Sequence, residues 1–122
     1  MSMFEAKEIK LLIEFQKLTS QGAMSWVLID PPASLVNATN DYIPNCYSTS
    51  YQNKTFIIYS RRYQNYSPDF DQMFFDERVE IAMIDWSGRI LWAYADRTPA
   101  LYDLFFIVKH QTSGIDDILN SF

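Results

Sequence analysis

The chain has 122 residues, of which 48% are hydrophobic and 16% aromatic, and this predicts one folded domain and excludes a disordered chain. Its formal net charge of −5 argues against a general nucleic-acid-binding protein and against attraction to acidic membranes, because phosphate groups need a basic surface. Cys46 is the single cysteine, so an internal disulfide is excluded.

The first residues predict a helix from about Met3 to Ser20. Ser2 and Glu5 have the spacing of a capping box, in which each side chain bonds to a free backbone amide near the other. Charged residues recur every few positions and no apolar run is long enough for a signal peptide or a membrane span, so we expect a cytoplasmic protein. Seven apolar residues are predicted to face inward, four on a central stripe and three beside it: Leu11, Leu12, Phe15 and Leu18, with Phe4, Ile9 and Ile13.

Three strands and a loop are predicted next. We expect a strand over Met24–Asp30, ended by two prolines, and then a polar loop over Ala33–Asn45. Cys46–Tyr51 and Thr55–Tyr63 predict a hairpin. Apolar side chains occupy both faces of its second strand, so neither face is polar.

The segment after this hairpin, Gln64–Phe75, predicts a short helix. Its Ser-Pro-Asp sequence resembles a helix start, and Phe70, Met73 and Phe74 follow at helical spacing.

A second hairpin is predicted from Asp76–Asp85 and Arg89–Ala95, which alternate in the period of a strand. The intervening Asp-Trp-Ser-Gly sequence suits a type I turn with a bulge, in which Gly88 takes the positive φ. This turn places Asp85 opposite Arg89. The register then puts Val79, Ile81 and Met83 on one face, and these residues on the other: Ala82, Ile84, Ile90, Trp92 and Tyr94.

A closing helix is predicted from Thr98, a favourable N-cap, with Pro99 as its first residue and Gly114 at its end. Its inward stripe is Leu101, Leu104, Phe105 and Val108. We expect the last residues, Ile115–Phe122, to add a helical turn with three apolar side chains against the core: Ile118, Leu119 and Phe122.

The predicted order is α-β-β-β-(short α)-β-β-α. It indicates a single α+β domain over residues 1–122, with an antiparallel sheet of about five strands and two long helices, N- and C-terminal, packed on one face.

The sheet face away from the helices carries the functional prediction. An antiparallel sheet covered on one side should show a polar outer face, and this one does not. Exposed apolar patches with Trp and Tyr mark interaction sites. The predicted partner-binding residues lie on this face and in Gln64–Phe75, the segment linking the two hairpins: Ile84, Ile90, Trp92, Tyr94, Phe70, Phe74 and Phe75. Three alternatives remain open: the linking segment or the Ala33–Asn45 loop covers the face, a second copy or another protein covers it, or it holds a small-molecule pocket.

No set of residues indicates catalysis, a metal or a cofactor. Cys46 and the only histidine, His110, could act together only if the fold brought them into contact, and no flanking signature supports this. The adjacent Arg61 and Arg62 lie among tyrosines, but neighbouring residues of a strand point to opposite faces, so a nucleic-acid site is not expected. Five acidic residues cluster in sequence without the spacing of a metal motif: Asp69, Asp71, Asp76, Glu77 and Glu80.

The sequence therefore predicts a small, acidic, non-enzymatic protein-interaction domain. It could serve as an adaptor, an immunity-type protein or an inhibitor of the kind that phages or mobile elements encode, and its partner would be another protein or a second copy. The alternative is a small-molecule or nucleotide-binding domain, or a small enzyme, with Cys46, His110 and tyrosines around a pocket between the sheet and the loops.

Overall fold

The computed structural model describes residues 3–37 and 39–122, with side chains from residue 6 onward. It confirms an α+β domain with a five-stranded antiparallel sheet and two long helices. The elements in chain order are α1 (Met3–Ser20), β1 (Val27–Ile29), a 3-10 turn (Ala33–Leu35), β2 (Cys46–Tyr51), β3 (Lys54–Ser67), β4 (Gln72–Ile84), β5 (Ile90–Tyr94), α2 (Pro99–Ser113) and α3 (Ile115–Leu119).

The sheet is a meander in which each strand pairs with the next one along the chain. Gln52 and Asn53 join β2 to β3 with φ values of 50° and 64°, which is typical of the two-residue type I′ turn that matches the twist of a hairpin. The predicted turn between β4 and β5 is confirmed. Gly88 has a φ of 84°, and its amide donates to the carbonyl of Asp85 over 3.0 Å.

The helix face of the sheet, the one covered by α1 and α2, holds the larger core. Leu12 and Phe15 of α1 are fully buried there, and the ring of Phe15 meets the ring of Phe56 edge-on with centroids 5.1 Å apart. All four residues of the predicted α2 stripe are buried. Ile13 is exposed, so its predicted inward position is wrong. None of the described helices combines the length and apolarity needed to cross a membrane.

The second face of the sheet, opposite the helix face, is covered in its central part by the chain itself. Leu35 and Ile43 from the segment between β1 and β2 are buried against this face. Their contacts form a second core with these sheet residues: Cys46, Ile57, Tyr59 and Ala82, with Ile84 at its margin. Among the predicted alternatives, the structure therefore supports cover by the Ala33–Asn45 loop. The central part of this face is therefore not the open apolar surface that the sequence indicated. The sequence did not reveal the cover, because Leu35 and Ile43 lie in a largely polar stretch.

Arg61 ties that covering segment to the sheet. Its side chain is buried on the second face, where Nε donates to Glu80 Oε1 over 2.9 Å. Nη1 donates to the backbone carbonyl of Leu35 over 2.8 Å and to Asp41 Oδ2 over 3.0 Å. Burial alone would lower the pKa of this guanidinium, but the bonds to Glu80 and Asp41 outweigh burial and raise it. The group therefore stays charged and donates three hydrogen bonds, to Glu80, Leu35 and Asp41.

A β-bulge between β4 and β5 changes the predicted register. Ile84 pairs with Ile90 as expected, but Met83 pairs with Trp92 and Ile81 with Tyr94. One extra residue in β5 shifts every later side chain to the other face. The predicted position of Trp92 and Tyr94 on the second face is therefore wrong. Both pack on the helix face, where the rings of Trp92 and Phe56 lie 6.3 Å apart.

The short helix predicted in Gln64–Phe75 is also wrong. β3 and β4 continue as strands through this region and are joined by a turn over residues 68–71. β1 is shorter than predicted, with only Val27–Ile29 in the sheet.

The C-terminal residues form the expected helix but do not pack as expected. α3 supplies the predicted last helical turn after Gly114, which has a φ of 72°. Its apolar side chains do not pack on the core, because Ile118, Leu119 and Phe122 are exposed. At the other end, the predicted capping box of Ser2 and Glu5 and the inward position of Phe4 lie outside the described side chains.

We predict that Arg61→Met destabilises the fold strongly. The substitution removes the donor to Leu35 and leaves Glu80 buried with Arg78 as its remaining ion pair, at 2.8 Å. Breaking a buried ion pair costs about 3–5 kcal/mol, and because Glu80 keeps one partner we expect about 3 kcal/mol in urea denaturation. The matched control is Arg62→Met, whose half-exposed pair with Glu77 at 3.4 Å contributes at most about 1 kcal/mol. Equal losses in the two variants would contradict the assigned role of Arg61.

The turn at Asp85 predicts a pH dependence of stability. Bonds from the Ser87 hydroxyl and from the Arg89 amide lower the pKa of the Asp85 carboxyl below its ordinary value of 3.8. A lowered carboxyl pKa gives stability that is complete above the ordinary value and is lost as the pH falls through the folded-state value. Between about pH 5 and about pH 3, the denaturation midpoint should fall more steeply for the wild type than for Asp85→Asn, which keeps an acceptor oxygen but does not titrate. If the midpoints of the two proteins fall in parallel with pH, the ionised Asp85 carboxylate adds nothing to the stability.

Candidate protein-interaction surface

The hairpin of β3 and β4 is longer than the rest of the sheet. β2 pairs with β3 only between Tyr51 and Cys46, which lies opposite Tyr59. β5 pairs with β4 only as far as Ile81. Past Tyr59 and Glu80 the two strands continue to pair with each other for eight more steps. The last four run from Gln64 opposite Phe75 to Ser67 opposite Gln72. We call residues 64–75 the arm. Its four pairs extend about 13 Å at the usual rise per residue of a strand.

The arm concentrates exposed apolar side chains. Its paired strands contain no charged residue, and the carboxylates of Asp69 and Asp71 lie in the turn. Its large exposed apolar residues are Tyr66, Phe70, Met73, Phe74 and Phe75. Phe70 and Phe75 are 76% and 70% exposed, so these rings meet water over most of their surface. Several large apolar side chains exposed close together are typical of an interaction site.

The strand register divides these residues between the two sides of the arm. Tyr66 lies opposite Met73, and Phe75 lies opposite Gln64 on the same side. This side continues the helix face of the sheet. Phe74 lies on the other side, opposite Asn65. The side with Tyr66, Met73 and Phe75 is therefore the more apolar of the two.

Side chains partly block the β3 edge of the arm and the β4 edge at its base. The amide of Tyr66 donates to Oδ1 of Asn65 over 2.9 Å, and the amide of Glu77 donates to Oδ1 of Asp76 over 2.8 Å. Arg97 donates to the carbonyl of Glu77 over 3.3 Å. An edge occupied in this way is a poor template for another strand. The arm therefore offers a partner its side chains more readily than its backbone.

Polar contacts hold the base of the arm to the body. Arg97 lies 3.6 Å from Asp76 Oδ2, and the Tyr63 hydroxyl donates to the same oxygen over 3.1 Å. The guanidinium of Arg78 lies 5.2 Å from the centre of the Tyr63 ring. The amide of Glu77, followed by the Tyr63 hydroxyl, lowers the pKa of the Asp76 carboxyl, so this acceptor stays charged.

The predicted partner-binding residues fall into two groups. Phe70, Phe74 and Phe75 lie together on the arm and are exposed. The four sheet residues do not form one surface: Trp92 and Tyr94 belong to the helix-face core, Ile84 is half-buried beside the second core, and Ile90 is exposed next to it. Tyr66 and Met73, which are exposed on the same arm, were not among the predicted residues. Alternation of side chains along two paired strands would have revealed them, but the helical spacing of Phe70, Met73 and Phe74 obscured it.

The alternative site around Cys46 and His110 is not assembled. Cys46 is buried in the second core, whereas His110 lies near the end of α2 on the other side of the sheet, with Nε2 3.0 Å from Oδ1 of Asp116. Burial raises the pKa of the Cys46 thiol to about 12, which removes its nucleophilic form near neutral pH. An open groove of about 610 Å³ lies beside His110 and another of about 620 Å³ lies between Leu28 and Tyr42. Cys46 lines neither groove, although its core neighbours Ile29 and Ile43 line the second.

Local contacts engage most of the acidic cluster and both of the adjacent arginines. Glu80 pairs with Arg61 and Arg78, and within the described part of the chain no three acidic, histidine or cysteine side chains converge as metal ligands would. Arg61 is buried on the second face while its neighbour Arg62 pairs with Glu77, so the two do not form one basic patch.

Comparison with known proteins gives no relative to argue from: the chain matches no protein-family model, no curated protein and no solved structure.

The burial of Cys46 predicts a slow thiol. In the native protein its side chain is 1% exposed, so alkylation by iodoacetamide should be at least about a thousandfold slower than in guanidinium chloride, where the ordinary pKa of 9.0 is restored. Mass spectrometry of timed samples measures the difference. Fast labelling of the native protein would revive the alternative of a nucleophilic cysteine.

Proposed function

We propose that this chain is a non-enzymatic protein-interaction domain and that the arm is the element that contacts the partner. The observation that carries the proposal is the contrast between the body and the arm. In the body, α1 and α2 cover one face of the sheet and the segment around Leu35 and Ile43 covers the other. In the arm, both sides of the hairpin carry large apolar side chains that meet water.

The chemistry of the arm suits a protein partner. Aromatic residues and Met are enriched at the centres of protein interfaces, and charged residues are depleted there. The arm has this composition: four aromatic rings and one Met, with its two carboxylates confined to the turn. Apolar packing would therefore provide most of the affinity, and an adaptor, an immunity-type protein or an inhibitor could each use such an element.

The position of the arm supports the same role. Its base is fixed to the body by the contacts among Tyr63, Asp76 and Arg97. An element that extends from a rigid body can enter a groove on a partner without changing the body. Its contact residues are exposed and take no part in the buried ion pairs that hold the fold, so we expect their substitution to leave the protein folded.

Site-specific photocrosslinking tests this proposal. We expect a benzophenone amino acid at position 75 to form a discrete covalent adduct in cells of the native host, because the exposed Phe75 ring would be buried by the partner. Mass spectrometry of the adduct identifies the protein attached. The matched control is the same substitution at Phe106 on α2, which is 71% exposed against 70% for Phe75. Adducts at both positions, or at neither, would contradict the arm as the contact element.

A further inference from the structure

The arm is an unusual element for a protein to leave uncovered. A two-stranded hairpin by itself is at best marginally stable in water, and it gains stability when a further layer or further strands bury its apolar side chains. Beyond Arg62 and Glu77 the sheet continues only as β3 paired with β4, as far as the described residues show. The exposed rings of Tyr66, Phe74 and Phe75 would therefore be buried only by a layer from outside the described chain.

We propose that this cover is a second copy of the same chain, and that the protein is a two-fold symmetric dimer in which two antiparallel arms pack face to face. The inference rests on the proposed function, because it identifies the partner of the same surface. In a two-fold contact the same patch serves on both sides, so it must be complementary to itself.

The apolar area of the arm is sufficient for such a dimer. A large aromatic side chain buries roughly 150–250 Å². The three side chains on the more apolar side of the arm, Tyr66, Met73 and Phe75, are 49–70% exposed, and at these fractions they offer roughly 350 Å². Two arms together offer roughly 700 Å² of apolar surface. Because non-polar area makes up only a little over half of a typical interface, this corresponds to roughly 1,200 Å² in all, the lower end of the range for specific interfaces.

The distribution of charge permits two acidic copies to meet at this element. Each copy carries a net charge of −5, but the paired strands of the arm are uncharged, so packing them together buries no like charges. Antiparallel arms would bring the turn of each copy, with Asp69 and Asp71, toward the base of the other. That base carries Arg62 and Arg97 beside the acidic residues they pair with, and both arginines are more than half exposed. Because each arginine there is paired with a carboxylate, the acidic turn would meet a surface of mixed charge rather than a uniformly acidic one.

The partly blocked β3 edge of the arm favours one way for the copies to meet. Pairing through that edge would require the amide of Tyr66 to release the side chain of Asn65. Packing of faces requires no such exchange. The side with Tyr66, Met73 and Phe75 is the more apolar one, so we assign it as the contact.

Sedimentation velocity of the purified protein tests the dimer. The wild type, measured from about 1 μM to about 500 μM, should sediment as a dimer at the upper concentrations. Phe75→Asp should weaken the dimer at least about tenfold, because a carboxylate in an apolar contact must be desolvated. Phe106→Asp, at an equally exposed ring on α2, should leave the dimer unchanged. Met73→Glu provides a second variant of the same surface, and circular dichroism melts confirm that each variant is folded.

The possible results separate this inference from the proposed function. A monomeric wild type at every concentration overturns the dimer, and so does a dimer that Phe75→Asp and Met73→Glu leave intact or that Phe106→Asp also disrupts. If the wild type is monomeric but position 75 crosslinks to a different protein, the dimer is wrong and the proposed function stands. If the wild type is monomeric and position 75 gives no adduct, both are wrong.

Discussion

The closed body of this protein depends on the hydrogen bonds and ion pairs of the buried Arg61 guanidinium. The sheet is apolar on both faces, so a single layer of helices leaves one face in need of cover. The segment between β1 and β2 provides that cover with few apolar side chains, chiefly Leu35 and Ile43. Arg61 holds it in place through a carbonyl and a carboxylate of the segment, while Glu80 balances the charge from the sheet. A polar loop can thereby act as a second layer.

The arm exists because the two central strands are longer than the strands that flank them. β3 has 14 residues and β4 has 13, whereas β2 has 6 and β5 has 5. The flanking strands end near Tyr59 and Ile81. The central hairpin continues past them with the same alternation of apolar side chains that a covered sheet would need. The apolar character that indicated an interaction surface in the sequence is real, but it is exposed at the end of the hairpin rather than across the middle of the sheet.

Features set by neighbouring residues could be predicted from the sequence, and features set by distant contacts could not. The turn closed by Gly88 and the helix between Pro99 and Gly114 depend on local backbone geometry and were placed correctly. The bulge between Met83 and Ile84 accompanies packing of Trp92 against Phe56, which lies in another strand, and it places two predicted site residues on the opposite face. In the arm the helical spacing of three residues competed with strand pairing, and only the cross-strand partners decide between the two.

The packing of α1 against α2 has a consequence for the order in which the protein folds. Gln16 donates to the carbonyl of Ala100, and Gln111 donates to the carbonyl of Met24, so the helix face is completed by residues more than 80 positions apart in the chain. The meander can form strand by strand during synthesis, since each strand joins the one just made. One apolar face of the nascent sheet nevertheless stays incompletely covered until α2 has left the ribosome. During that interval the growing chain would be most vulnerable to aggregation and most dependent on chaperones.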